Sequence, residues 1–176
     1  GWTLGYPVYS LDRHLLLPAG ITLSDKDLLA LISSSSADYQ KKYSLMQFGT
    51  VRKDFLDFAR QPPGNAVFSN EHEFAEVFKL MGQVQLARPK LDSIAYFKQY
   101  DPYTYRHILM VFAYLTLLSK DLVPNYRSRV REVATSPLHD FGKVCVPLEI
   151  LTKAAPLTQD ERKNLEHHTT AGYILI

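Results

Sequence analysis

Only one cysteine, Cys145, stands among the 176 residues, so no internal disulfide can form and the chain fits a reducing compartment. Nor does either charge dominate: 20 Lys and Arg against 18 Asp and Glu leave a formal net charge of +2. That balance gives no reason to expect nonspecific binding to DNA. Residues 1–10, GWTLGYPVYS, lack a basic start followed by an apolar stretch, so no signal peptide is expected. The longest apolar run, Ile108 to Leu118, is apolar at ten of eleven positions. It falls short of the ~20 residues a bilayer crossing needs and is expected to be a buried helix. A cytoplasmic protein off the membrane is the resulting expectation.

What remains is an ordinary globular composition, 46% hydrophobic and 12% aromatic, at a length that suits one medium domain or two small ones. Two polar stretches read as linkers: SSSSADYQKK at 33–42, and RQPPGNAVFSN at 60–70 with two prolines and a glycine. Ahead of the first, β-prone pieces at Val8-Tyr9 and Leu15–Leu17 flank a polar turn at Asp12-Arg13, which predicts a hairpin. Ser24 followed by Asp27 predicts a helix start, with Leu28, Leu29, Leu31 and Ile32 as its apolar face. Residues 1–65 are therefore read as a small α+β domain, suited to sensing or to a protein partner, and 66–176 as an all-α domain.

In that second part, Asn70 with Glu73 predicts an N-cap and its reciprocal carboxylate, followed by Phe74, Val77, Phe78 and Met81 at helical spacing. Further helices are predicted over Leu91 to Gln99, Tyr103 to Ser119 and Tyr126 to Thr135. Thr158 with Glu161 predicts a capping box that opens a helix carrying Leu165 and His168. No internal repeat is visible.

Six histidines punctuate the chain. His14 and His72 fall in hairpin and helix-start contexts and are expected to be solvated. His107 opens the apolar helix on the face of Val111, Tyr114 and Leu118, so its ring is expected to point inward. His139 and Asp140 follow Leu138 at the expected end of another helix, with Gly142 as the stop. Imidazole nitrogens with a carboxylate suit iron, manganese or zinc in a mixed N/O site. Adjacent helical residues point about 100° apart, which lets a carboxylate lean toward a second metal. Without thiolates, a structural zinc knot is not expected.

Three stretches resemble the HD-domain phosphohydrolases, and within them the HD-GYP cyclic-di-GMP phosphodiesterases of bacteria. DPYTYRH ends in His107 and resembles the start of the family's first ligand helix. HDFGKVCVPLEILTKAAPLTQDE, from His139, is similar to the family's His-Asp-x-Gly-Lys segment at almost every position. HHTTAGYIL resembles the next histidine, four residues before a glycine, which selects His168 over His167. The intervals of 32 and 29 residues between these histidines also agree.

The resemblance implies a mainly α, HD-type helical bundle preceded by the small α+β domain. It implies metal ligands at His107, His139, Asp140 and His168, with Asp140 bridging two divalent ions, iron or manganese. Asp140 and Lys143 would be catalytic, and Lys143 and Lys153 would contact the substrate phosphate, Lys153 being equally open to a solvated loop role. The implied reaction is metal-assisted hydrolysis of cyclic di-GMP in signalling. The alternative is a catalytically silent relative, kept for ligand sensing or protein contact; an HD hydrolase acting on another phosphorylated nucleotide is a third option. A homodimer is compatible with either.

The sequence also departs from the family. The defining Gly-Tyr-Pro and the remaining ligands lie downstream in the family, whereas this sequence stops at Ile176, so a fragment of a longer protein, C-terminally incomplete and holding less metal, is expected. Gly5-Tyr6-Pro7 is read as a coincidence within a strand. Pro137 is expected to interrupt the ligand helix. Tyr103, four residues before His107, offers no carboxylate for a third metal, so at most two are expected. Cys145 is expected to be a buried packing residue.

Overall fold

The computed structural model describes residues 2–34 and 41–176. In chain order the elements are β1 (Val8–Tyr9), β2 (Leu15–Leu17), α1 (Asp25–Ser34), β3 (Lys42–Ser44), α2 (Val51–Ala59), α3 (Gly64–Val67), α4 (Glu71–Met81), β4 (Gln85–Ala87), α5 (Arg88–Tyr100), α6 (Pro102–Leu122), α7 (Tyr126–Val133), α8 (Leu148–Leu151), α9 (Gln159–Glu166) and α10 (His168–Leu175). The architecture is mainly helical with small strand pairs, as expected. Most of the linker predicted at 33–42, residues 35–40, lies outside the described residues, as does the side chain of Ile32. Among the described residues no helix is long and apolar enough to cross a membrane.

The described residues fall into two compact units, drawn differently from a split at residue 65. One joins the N-terminal stretch through Ser34 to His139–Ile176; the other runs from Lys41 to Leu138. Residue 65 itself lies inside α3.

In the first unit, β1 and β2 pair antiparallel as the hairpin pattern predicts, across a turn where Arg13 takes a positive φ of 67°. Ser24 donates its hydroxyl to Asp27 at 2.6 Å and accepts from the Asp27 amide, closing α1 with an aspartate where a capping box has glutamate. β1 reaches the C-terminal part of the unit through Cys145, whose Sγ donates to the Tyr9 carbonyl at 3.3 Å and accepts from the Tyr9 amide at 3.4 Å. Burial pushes the Cys145 thiol above its ordinary pKa, so this is the packing cysteine the sequence suggested. Gly5-Tyr6-Pro7 is a bend before β1, not strand. Its tyrosine has work of its own: the Tyr6 hydroxyl donates to the Asp160 carbonyl at 3.2 Å and the ring tilts against His167, centroids 5.6 Å apart.

The second unit is built around α6. Asp101 caps it by accepting from the Thr104 amide at 3.1 Å, and Pro102 takes the first turn, where its missing N–H costs nothing. Its buried stripe is Thr104, Tyr105, Ile108, Leu109, Phe112, Ala113 and Thr116. Phe55, Phe97 and Phe112 are fully buried in this unit, and each large apolar side chain withdrawn from water contributes ~1.5–3 kcal/mol. A second strand pair, β3 with β4, joins residues over 40 positions apart in the chain, with Tyr43 opposite Leu86. The sequence reading does not anticipate it. Asn70 does cap α4, accepting from the His72 and Glu73 amides. Glu73 does not reciprocate; its carboxylate accepts from Lys120 on α6 at 3.0 Å.

One partly exposed polar knot ties α2 to α5 and α6. The Asp54 carboxylate accepts from Lys98 at 2.6 Å, and from the Tyr105 and Thr50 hydroxyls at 2.7 Å each. Burial pushes the carboxyl up, but those three donors outweigh it and hold the pKa below its ordinary value. A folded-state pKa below the unfolded one gives stability that is present above the unfolded value and is lost as pH falls through the folded value. The protein should therefore lose stability on acidification below about pH 4, and Asp54→Asn should flatten that loss in urea melts taken across the acid range. An unchanged acid slope in the variant would remove Asp54 as its source.

Candidate metal centre

Asp140 lies in a turn between two short 3-10 segments, Ser136–Leu138 and Phe141–Cys145, rather than at the end of a helix. Pro137 is part of the reason: a proline here removes an amide donor, and the chain takes tighter turns instead of an α-helix. Ser136–Leu138 packs on α6 within the second unit, and His139 is the next residue along the chain.

Within the first unit, Asp140 is 6% exposed, and each of its oxygens has a separate environment. Oδ2 accepts from Lys143 Nζ at 2.9 Å and lies 3.5 Å from His139 Nε2. Oδ1 lies 3.5 Å from His168 Nε2. A carboxylate is thus presented to two imidazoles, one through each oxygen.

His168 reaches this place because α10 packs directly on Phe141–Cys145. Gly142 permits the approach: a Cβ there would stand 1.9 Å from the His168 carbonyl oxygen and 2.4 Å from the Gly172 nitrogen. Gly142 is therefore a close-packing glycine inside a 3-10 segment, not the helix stop expected from the sequence. The capping box is as expected, with Thr158 and Glu161 each bonding the other's backbone amide. The helix it opens breaks at His167, so His168 begins α10 instead of extending α9.

The ring of His168 is oriented by its own chain. Nδ1 meets the Leu165 carbonyl oxygen, a contact that requires Nδ1 to carry the proton, leaving the Nε2 lone pair directed at Asp140. Backbone carbonyls fix ligating histidines in this way in many metal sites. His167, its neighbour, rests instead against Tyr6, and burial lowers its pKa. The two adjacent histidines thus have different neighbours, His168 facing Asp140 and His167 facing Tyr6.

His107 sits in α6 of the second unit, with Val111, Tyr114 and Leu118 along its stripe. That stripe is the flank of the helix, ending in Leu118 at 54% exposure, and the buried face is the neighbouring one. The inward face expected for His107 is thereby corrected. Within the first unit, His139, His168 and Asp140 each offer one donor atom of the kind that suits a metal ion. Two imidazole nitrogens and a carboxylate oxygen fit iron, manganese or zinc. Lys153 lies in the first unit with its ammonium on both Glu161 oxygens, at 2.7 and 2.6 Å, where it ties the loop after α8 to the α9 cap. Tyr103 is 80% exposed.

Two known proteins are similar to parts of the chain. The cyclic di-GMP phosphodiesterase response regulator RpfG of Xanthomonas campestris pv. campestris is 42% identical over 48 residues, which is 27% of this chain and 12% of that protein. A probable cyclic di-GMP phosphodiesterase of Vibrio cholerae is 31% identical over 86 residues, 43% of this chain and 19% of that protein. The chain therefore spans less than a fifth of the length of each. No family model matches it, and no solved structure matches it at a significant level.

Proposed function

We propose that this chain is part of a metal-dependent phosphodiesterase of the HD-GYP type, acting on cyclic di-GMP in bacterial signalling, with His107, His139, Asp140 and His168 as metal ligands. The observation that supports it most is the Asp140 carboxylate, buried and offered through separate oxygens to His139 and His168. The partial similarity to two cyclic di-GMP phosphodiesterases agrees with it. Divalent iron or manganese, when bound, supplies Lewis acidity and an acidified water for attack on a phosphodiester.

The protein's own groups do the rest. The Leu165 carbonyl holds His168 in the tautomer that presents Nε2. Asp140, 6% exposed, is directed at His139, Lys143 and His168. Lys143, 15% exposed, is the compact charge that would leave Asp140 Oδ2 for a substrate phosphate oxygen. Lys153 is a second phosphate contact in this reading, and a phosphate there competes with both oxygens of Glu161.

One observation favours a second reading, a silent domain that binds ligand without turnover. Lys143 already neutralises Asp140 at 2.9 Å, as it would in a site that has dispensed with metal. Chromatography of the products of cyclic di-GMP incubated with the full natural protein, reconstituted with iron or manganese, separates the two. Linear dinucleotide or GMP, reduced ~100-fold or more in His168→Ala, supports the enzyme. Saturable binding of cyclic di-GMP with no product would establish the silent domain instead.

A further inference from the structure

α9 and α10 meet at His167, and the groups that orient His168 lie on opposite sides of that joint. Leu165, whose carbonyl oxygen fixes the His168 ring, belongs to α9, whereas His168 opens α10. A change of angle at His167 would take the ring off its carbonyl. It would also carry Nε2 away from Asp140 Oδ1, 3.5 Å distant. Taking His168 as a metal ligand, as proposed above, we infer that Tyr6 holds this joint and is thereby a positioning residue of the metal centre.

Tyr6 touches both sides of the joint. Its hydroxyl donates to the Asp160 carbonyl in the first turn of α9 at 3.2 Å, and its ring tilts at 51° against His167, centroids 5.6 Å apart. The ring contact is the firmer hold. The hydroxyl bond is exposed, and there water offers the carbonyl a nearly equal partner. The His167 ring has no such substitute: its Nε2 is buried and has no hydrogen-bond partner among the described residues. Packing against Tyr6 keeps that ring inward. Without the Tyr6 ring, the nitrogen gains a route to water, and turning outward satisfies it.

Tyr6 can act as a brace because its own stretch is fixed on either side. Leu4, 2% exposed, donates to the Ile21 carbonyl at 2.9 Å and accepts from the Gly20 amide at 2.7 Å. Val8 is fully buried, and Tyr9 holds Cys145 through both its amide and its carbonyl. Cys145 ends the 3-10 segment that Asp140 precedes. One N-terminal stretch is therefore bonded to the segment after Asp140 and packed on the residue before His168.

The test is the tautomer of His168 in the full natural protein, labelled with ring-15N histidine, stripped of metal and read by long-range proton–nitrogen NMR at about pH 8. The His168 signal is assigned by its loss in His168→Ala. Wild type is expected to carry the proton on Nδ1. Tyr6→Phe, which keeps the ring, should retain that tautomer. Tyr6→Ala should give a mixture with the proton on Nε2, and His167→Ala, which removes the other half of the contact, should do the same. Manganese should bind at least about tenfold more weakly to Tyr6→Ala than to wild type or Tyr6→Phe, as when a group orienting a ligand histidine is lost. An unchanged tautomer in Tyr6→Ala, an equal change in Tyr6→Phe, or wild-type manganese affinity despite a changed tautomer would each overturn the inference. Should Tyr6→Ala fail to fold, His167→Ala decides on the same terms. The tautomer is read without metal, so a wild type that binds no manganese would bring down the ligand assignment and leave the tautomers to judge Tyr6.

Discussion

Gly142→Ala is expected to cost about 3 kcal/mol of stability, the upper end of the usual range for overpacking, and to separate α10 from the Phe141–Cys145 segment. The added Cβ would meet the backbone of α10: the His168 carbonyl oxygen at 1.9 Å, the Gly172 nitrogen at 2.4 Å and the His168 carbonyl carbon at 2.8 Å. A side chain can turn away from such a contact; a peptide unit inside a helix cannot. Relief requires α10 to move as a body, and with it His168, whose Nε2 lies 3.5 Å from Asp140. Gly172→Ala is the control from the same interface. Its Cβ would lie 3.4 Å from the Gly142 nitrogen, an ordinary contact, and alanine is the better helix former by ~0.5–1 kcal/mol. Urea melts should thus show Gly142→Ala strongly destabilised and Gly172→Ala near wild type. Equal stabilities for the two variants would show that the close approach does not hold α10 in place.

How far such features were legible in the sequence depends on how local their causes are. Caps are local. Ser24 with Asp27, Asn70, and Thr158 with Glu161 all open helices where the side-chain spacing says they should, because a cap is a bond between residues three positions apart. The β1–β2 hairpin is legible for the same reason. The β3–β4 pair is not: neither Lys42–Ser44 nor Gln85–Ala87 is long enough to show a period of two, and they meet only because α4 brings Val84 back to Leu45. His107 failed differently. Ile108 to Leu118 is apolar nearly all round, so periodicity identifies the helix but not which side faces in. The buried stripe proves to run through Ile108, Phe112 and Thr116. Gly142 shows the same ambiguity at one residue. A glycine after a predicted helix reads as a stop, and only the position of α10 reveals that the missing Cβ makes room for another segment. Of the site, the spacing of His139, Asp140 and His168 was visible; the Leu165 carbonyl that orients His168 was not, since a backbone group leaves no mark on composition.

Removing the Asp140 carboxylate is the second change with a large expected effect, here on metal rather than folding. If Asp140 is a ligand, Asp140→Ala should retain almost no iron or manganese by elemental analysis after purification without chelators, whereas wild type retains it. Asp140 is buried against Lys143, so the alanine leaves an ammonium without its partner, a substitution that can cost ~3–5 kcal/mol by itself. His139→Ala therefore belongs beside it, since the His139 side chain is 32% exposed and its removal strands no charge. Both should lose metal, and His139→Ala should do so while melting close to wild type. Lys143→Met carries the opposite sign. A metal ion approaching Asp140 Oδ2 meets the Nζ charge 2.9 Å from that oxygen, and like charges at such distances repel by several kcal/mol even at an effective dielectric of about 20. Relieved of that competitor, Lys143→Met should hold metal about tenfold more tightly or better while losing phosphate contact. Wild-type metal content in Asp140→Ala and His139→Ala together would place the ion elsewhere and leave Asp140 as the partner of Lys143 alone. Metal lost in both and gained in Lys143→Met could arise only if the carboxylate that holds the lysine is the one that holds the ion.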